Sequence, residues 1–228
     1  MAKKVEKGDI VVPGQELYEG EEFTAGDGAF ESGGTIRSRF LGAADFRSED
    51  SVQVIPRYNP YVPSQGDLVI GEVERVGPSN WNVDIGCPWS AFMHVNAAVD
   101  EYVDHDDDIS QWYGIGDVIV AKVKGVTEGM DVKLSMEHEN ARELEGGRVI
   151  SVAPAKVPRI IGSKGTMVEM IKDATDTMIV IGQNGRVWID GTGESLAVEA
   201  IRKVADEAHT DNLTEKMEEW LEENGGDI

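Results

Sequence analysis

Between Gly147 and Ala208 the hydrophobic period of the chain changes in an order that few folds can accept. "RVISVAP" (148–154) alternates as a strand, and Pro158 opens a short helical turn, because proline suits the first position of a helix. "GSKG" (162–165) then interrupts the chain. In the helix after it, Met167, Met170, Ile171 and Ala174 recur at helical spacing, with Glu169, Lys172 and Asp173 outward. "TMIVIG" and "RVWIDG" make a hairpin through "QNG", whose Asn-Gly favours a tight turn, and "ESLAVEAIRKVADEA" supplies a third helix. Glycines three apart let the backbone approach a ligand closely, and a helix beginning at once afterwards points free amides and a positive dipole end into the gap. Such a loop is built to hold phosphate. A Walker loop is excluded, because Thr166 follows Gly165 where that motif needs Lys. A dinucleotide loop is excluded as well, since it needs three glycines.

The preceding stretch, Gly66 to about Met136, reads as five strands: "LVIGEVERV", "WNVDIG", "WSAFMHV", "DVIVAKVKGV" and "DVKLSM". With Gly and Asp turns and one longer acidic excursion before the fourth, they fit a five-stranded OB-type barrel. Alternation assigns Trp89, Ala91, Met93 and Val95 to the core, which leaves Phe92 and His94 facing out. Lys122 and Lys124 likewise oppose Ile119, Ala121 and Val123, and Lys133 opposes Val132 and Leu134. An aromatic with lysines on a barrel face is a single-strand platform, on which bases stack and ammoniums meet phosphates. The alternative is a solvated face that carries one aromatic.

Charge bears on which of these holds. Forty-three acidic residues against 21 basic ones give a net charge of −22, which taken alone argues against a polyanion partner. From Gly147 to Asp190, however, Arg148, Lys156, Arg159, Lys164, Lys172 and Arg186 outnumber Glu169, Asp173, Asp176 and Asp190. One region has been spared the acid. Acid dispersed over the rest is what working in concentrated salt favours, so a halophilic source is expected. The N-terminus lacks the apolar core of a signal peptide and no run approaches the roughly 20 apolar residues of a membrane span, so a cytoplasmic protein without membrane contact is expected. Residues 1–62, with short β-like runs such as "DIVVPG", "TIRSRFLG" and "SVQVIP", read as a small all-β domain ending in a linker at about Arg57–Gln65.

Strand, helix, Gly-x-x-Gly, helix, strand, strand, helix resembles the KH module, whose loop clamps a nucleic acid backbone. "GDLVIGEVERV…WNVDIG…AFMHV…GDVIVAKV…DVKLSM" resembles the S1-type RNA-binding domain. With the hairpin "GQNGRVWI" and the run "KVPRIIGSKG", the chain from Val11 to about Ala208 is similar to the archaeal exosome RNA-binding cap subunit. The fold class expected is multidomain β and α+β: an all-β N-terminal domain (1–62), a five-stranded OB-type S1 barrel (63–138), a type I KH domain (147–208) and an acidic C-terminal helix or tail (209–228).

The resemblance implies a non-catalytic subunit. Three copies sit on a hexameric ring of ribonuclease PH-like subunits, capture RNA at the pore and feed its 3′ end inward, which raises the activity of the complex. The cap is a homotrimer, or is mixed with a second type of cap subunit, and its N-terminal domain makes much of the ring contact. Carried over by position, Gly162, Ser163, Lys164 and Gly165 form the backbone clamp, with Arg159 beside it. Phe92, His94, Lys122, Lys124 and Lys133 lie on the S1 binding face. Gly182, Gln183, Asn184 and Gly185 match the family's signature turn, which either touches RNA or packs against a neighbouring domain. No cofactor or metal is implied. The alternative is an S1/KH-type transcription or translation factor, a kind that commonly carries a second KH module.

An enzyme finds little support in the residues. "DHDDD" (104–108) lacks the glycine turn and distal Glu of a calcium loop, and "EHEN" (137–140) is not a zinc-protease motif. Cys87, the single cysteine, reads as a packing residue. In the tail, Asn212 and Glu215 are spaced for a capping box, and Leu213, Met217, Trp220 and Leu221 make one apolar face, as in a docking helix.

Overall fold

The computed structural model describes the chain except for residues 1, 21, 27, 49–50, 57–59, 100, 102, 105–106, 209–211 and 227–228. Three residues of the expected linker (57–59) and two of the acidic run (105–106) therefore lie outside the described residues. The chain divides into two compact units, Met1–Asn59 and Pro60–Ile228.

The first unit is all β. Its strands are β1 (Ala2–Lys3), β2 (Ile10–Val11), β3 (Glu16–Glu19), β4 (Thr24–Ala25), β5 (Ala29–Ser32), β6 (Thr35–Ser38), β7 (Gly42–Ser48) and β8 (Ser51–Pro56). They form two four-stranded sheets, ordered β1-β3-β6-β5 and β2-β7-β8-β4. Strands this short cannot bury a face alone, so residues from both sheets, among them Val11, Leu17, Ile36, Val52 and Val54, share one core.

The second unit begins with the barrel: β9 (Leu68–Val76), β10 (Asn80–Asp84), β11 (Ala91–His94), β12 (Val118–Val126) and β13 (Val132–Ser135). β9 pairs with β10, β10 with β11, β11 runs parallel to β13, and β12 pairs with both β13 and β9, which closes the barrel. Alternation sends Val69, Val73, Val83, Met93, Ile119, Val123 and Leu134 inward around Trp81. The buried Trp81 indole donates from Nε1 to the Tyr113 carbonyl at 2.8 Å and meets the Tyr113 ring edge-on, so its polar handle is satisfied. A sixth strand, β14 (Arg142–Leu144), joins the free side of β12. Three residues are too few to show a period, so this strand is invisible to pattern reading.

The third module has the sheet β15 (Arg148–Ser151), β16 (Thr177–Ile181) and β17 (Arg186–Gly191) in the antiparallel order β15-β17-β16. Its helices are α1 (Val157–Ile161), α2 (Thr166–Thr175) and α3 (Glu194–Asp206). The chain order β15-α1-α2-β16-β17-α3 is that of a type I KH domain. Ile179, Val187 and Ile189 meet Ile160, Met167, Val168, Ile171, Ala197 and Ile201 in its core. Val168 is buried, whereas Met170 only flanks the cluster, so the apolar stripe of α2 is turned slightly from the expected one.

A fourth helix, α4 (Leu213–Glu223), docks on this core, with Leu213, Met217 and Leu221 fully inside. Trp220 is half-buried beneath the Lys203 ammonium, 5.8 Å from the ring centre, and Lys203 also reaches Glu207 at 2.6 Å. The capping box does not form. Asn212 takes a left-handed backbone (φ 56°, ψ 34°), and a side-chain cap needs an extended one. Burial therefore holds α4 in place. Among the described residues, no helix is long and apolar enough to cross a membrane. Leu221→Ala should lower stability by about 2–5 kcal/mol through the cavity it leaves, measured as a shift in the urea midpoint.

Candidate nucleic-acid interface

The "GSKG" loop owes its shape to backbone angles that side chains rarely adopt. Gly162 has φ 77° and ψ 179°, Lys164 φ 56° and Gly165 φ 87°. A Cβ on Gly162 would sit 2.7 Å from the Met167 backbone nitrogen, so only glycine lets α2 begin this close. No side chain caps the first turn of α2, which leaves its amides and its dipole end directed at the loop. Ser163 and Lys164 are exposed. Beside the loop lies a cavity of about 580 Å³ lined by Pro158, Arg159, Gly162, Ser163, Thr166 and Met167, and by Asn212, Leu213 and Thr214 from the start of α4. Lys164 and Gly165 are not in its lining. Arg159 donates from Nε to the Ala208 carbonyl at 2.8 Å, which ties α1 to the end of α3.

On the barrel, Phe92, His94, Lys124 and Lys133 line one depression of about 240 Å³, together with Asn96, Ala97 and Leu134. Phe92 lies directly across from Lys133 in the parallel β11–β13 pair. His94 Nδ1 accepts the Asn96 amide at 3.2 Å, which leaves Nε2 as the outward-facing atom of the ring. Lys122 is on the same face but outside this lining. Lys124 pairs with Glu137 at 3.0 Å, and this ammonium holds the Glu137 carboxyl below its ordinary pKa. Pattern reading missed Asn96 and Glu137. Asn96 follows the end of β11, and Glu137 pairs with a lysine 13 residues away on another strand.

The Gly182–Gly185 turn faces the barrel. β10 pairs with β9 only from Glu72 onward, so one edge of β9 is open at Leu68 and Ile70. Gln183 closes the first gap: its amide donates to the Leu68 carbonyl and its Oε1 accepts the Leu68 amide, both at 2.8 Å. Asn184, 7% exposed, closes the second. Its Oδ1 accepts from the Ile70 amide at 3.2 Å, and its Nδ2 donates to the Ile70 carbonyl at 2.7 Å and to the Ile85 carbonyl at 2.9 Å. Both of its amide protons are used, leaving no donor for RNA. Gly182 must be glycine, since a Cβ there would stand 2.8 Å from the Ile70 nitrogen.

Beside this turn Arg186 bonds the Asp84 carbonyl at 2.6 Å and pairs with its carboxylate. Burial works against the charge on Asp84, but the Gly86 amide and the guanidinium outweigh it and keep its pKa low. Ile70, Val120, Leu144 and Trp188 complete an apolar seam, which explains the place of β14.

Among the described residues no cluster of His, Cys, Asp and Glu could hold a metal ion. Asp107 and Asp108 of the acidic run accept the amides of Asp104 and Ser110, so they shape their own turn. Cys87 is half-buried, and burial pushes its thiol pKa up, away from reactivity.

A KH domain model matches residues 147–195, and a model described as the S1 domain of RRP4 matches residues 60–103. Fold and site thus define a protein of the S1–KH class. The chain is 41% identical over 219 residues to the exosome complex component Rrp4 of Thermococcus kodakarensis, covering 93% of this chain and 84% of that one. It is 39% identical over 223 residues to the Pyrococcus furiosus protein of the same name, covering 95% and 84%. A crystal structure assigned as an exosome complex RNA-binding protein superposes with a TM-score of 0.67 at 33% identity, over 72% of this chain and 97% of that one. The chain belongs to the Rrp4 family of exosome components.

Asn184→Ala strands the Ile70 amide and two carbonyls in a dry seam, each worth about 1–3 kcal/mol when buried without a partner. The expected loss of stability is about 3 kcal/mol by urea unfolding, with faster hydrogen exchange at the Ile70 amide. Gln183→Ala keeps the backbone bond and should cost about 1 kcal/mol.

Proposed function

We propose that this chain is the non-catalytic RNA-binding cap subunit of an archaeal exosome. It captures RNA at the mouth of the pore and passes the 3′ end to a ring of ribonuclease PH-like subunits, either as a homotrimer or in a cap mixed with a second type of subunit. The observation that carries this reading is the gathering of Phe92, His94, Lys124 and Lys133 around one depression on the barrel. A base fits against the Phe92 ring, where stacking contributes about 1–3 kcal/mol, while the lysines meet the flanking phosphates. The KH loop offers amides and Lys164 to the sugar-phosphate chain, with Lys122 extending the barrel face. Arg159 supports this loop by fixing α1. The names of the relatives favour this reading over a transcription or translation factor.

The N-terminal unit supplies a surface suited to a ring. Ile10 and Ile55 are both cross-strand partners of Ala43, so the three share one face, and Ile10, Val12, Leu41 and Ile55 are all exposed. Water-exposed aliphatic residues grouped in this way mark a contact surface. Amide contacts and stacking fade less with salt than lysine–phosphate pairs do, and three copies around one pore multiply a weak individual affinity.

RNA degradation by the reconstituted ring tests this. Wild type should accelerate it, and Phe92→Ala or Gly165→Asp should bind the ring but lose most of the gain. Stimulation that persists in both variants would refute the assignment of these two surfaces.

A further inference from the structure

The barrel depression contains two lysine ammoniums that are held differently. Lys133 makes no ion pair among the described residues, whereas Lys124 lies 3.0 Å from Glu137 Oε2. The backbone that carries Glu137 is fixed. Its amide donates to Ser135 Oγ at 3.1 Å, and the Ser135 hydroxyl donates to the Ala97 carbonyl at 3.1 Å. The Met136 amide donates to that same carbonyl at 2.7 Å. Ala97 is part of the lining of the depression, so the segment after β13 is stapled to the site, and its carboxylate reaches Lys124 of that lining.

We propose that Glu137 is a built-in competitor for phosphate at Lys124, which lowers RNA affinity at low salt and flattens its salt dependence. This rests on the reading of the barrel face as an RNA site. A phosphate and a carboxylate need the same ammonium, and both beside it leave an excess negative charge at close range. A phosphate at Lys124 therefore either displaces Glu137 or binds against its repulsion. A single strand releases about 0.7 cation for each phosphate neutralised. The Glu137 carboxylate stays close to the bound strand, and its repulsion, screened away as salt rises, offsets part of the gain at low salt. In the wild type Lys124 then adds less to the salt slope, and binding changes less between dilute and concentrated salt than the lysine count suggests. Exposure of both partners, at 55% and 54%, keeps the lock weak enough for RNA to open.

The test is fluorescence anisotropy of a labelled oligoadenylate with the full chain, titrated across a salt series. Glu137→Gln should bind about two- to fivefold tighter at low salt, the scale of an exposed ion pair. Its plot of log K against log salt should be steeper than that of the wild type, with the gain fading as salt rises. In a Lys124→Gln background the same change should have little effect. Unaltered affinity and slope in Glu137→Gln, with Lys124→Gln and Phe92→Ala weakened, would overturn the competitor and leave the RNA site standing. An equal gain in the Lys124→Gln background would also overturn it, as a general charge effect. If Phe92→Ala and Lys124→Gln both bind like wild type, the barrel face is not the site and the proposal falls with it.

Discussion

The carboxamide of Asn184 bonds the amide and carbonyl of Ile70 and the carbonyl of Ile85, and through it the KH sheet completes an open edge of the barrel. An exposed strand edge invites pairing with other chains, and here a turn from the next module fills it. The neighbouring contacts depend on this approach. Gly182 has no side chain because Ile70 is too close, Arg186 reaches Asp84 from the following strand, and Trp188 closes the seam on Ile70 and Leu144. The bond is sensitive to direction as well as distance, since a carboxamide both gives and accepts and matches one register of β9.

A chain of net charge −22 that is proposed to meet RNA has to place its few cations well. The structure concentrates aromatic, imidazole and ammonium groups at one barrel depression, and at the KH loop it relies on backbone conformation. Some of its other cations are spent on its own fold: Arg186 on the seam, Arg159 on the end of α3, Lys203 above Trp220. A basic count read from sequence alone overstates what is available to a polyanion.

The KH order was legible because each of its signals confirms the next: Pro158 at a helix start, two glycines at positive φ, and an apolar stripe running on from Met167. Barrel faces were legible because alternation has no other solution in "AFMHV" and "VAKVKG". The partners of Asn184 were not, since they lie 99 and 114 residues away and involve backbone atoms that carry no sequence signature. A hairpin rule reads Asn-Gly as turn chemistry and cannot see that the side chain is needed elsewhere. The spacing of Asn212 and Glu215 suggested a cap, but apolar burial of Leu213 and Met217 positions α4 with Asn212 in a conformation that forbids one.

Through the Asn184 contacts the barrel and the KH module should behave as one body. Residual dipolar couplings of the backbone amides measure it directly, because each rigid body reports its own alignment. Residues 66–136 and 148–206 of the wild type should fit a single alignment tensor in solution. Two tensors of different magnitude or orientation would mean that the modules move independently and that the Asn184 contacts do not hold them.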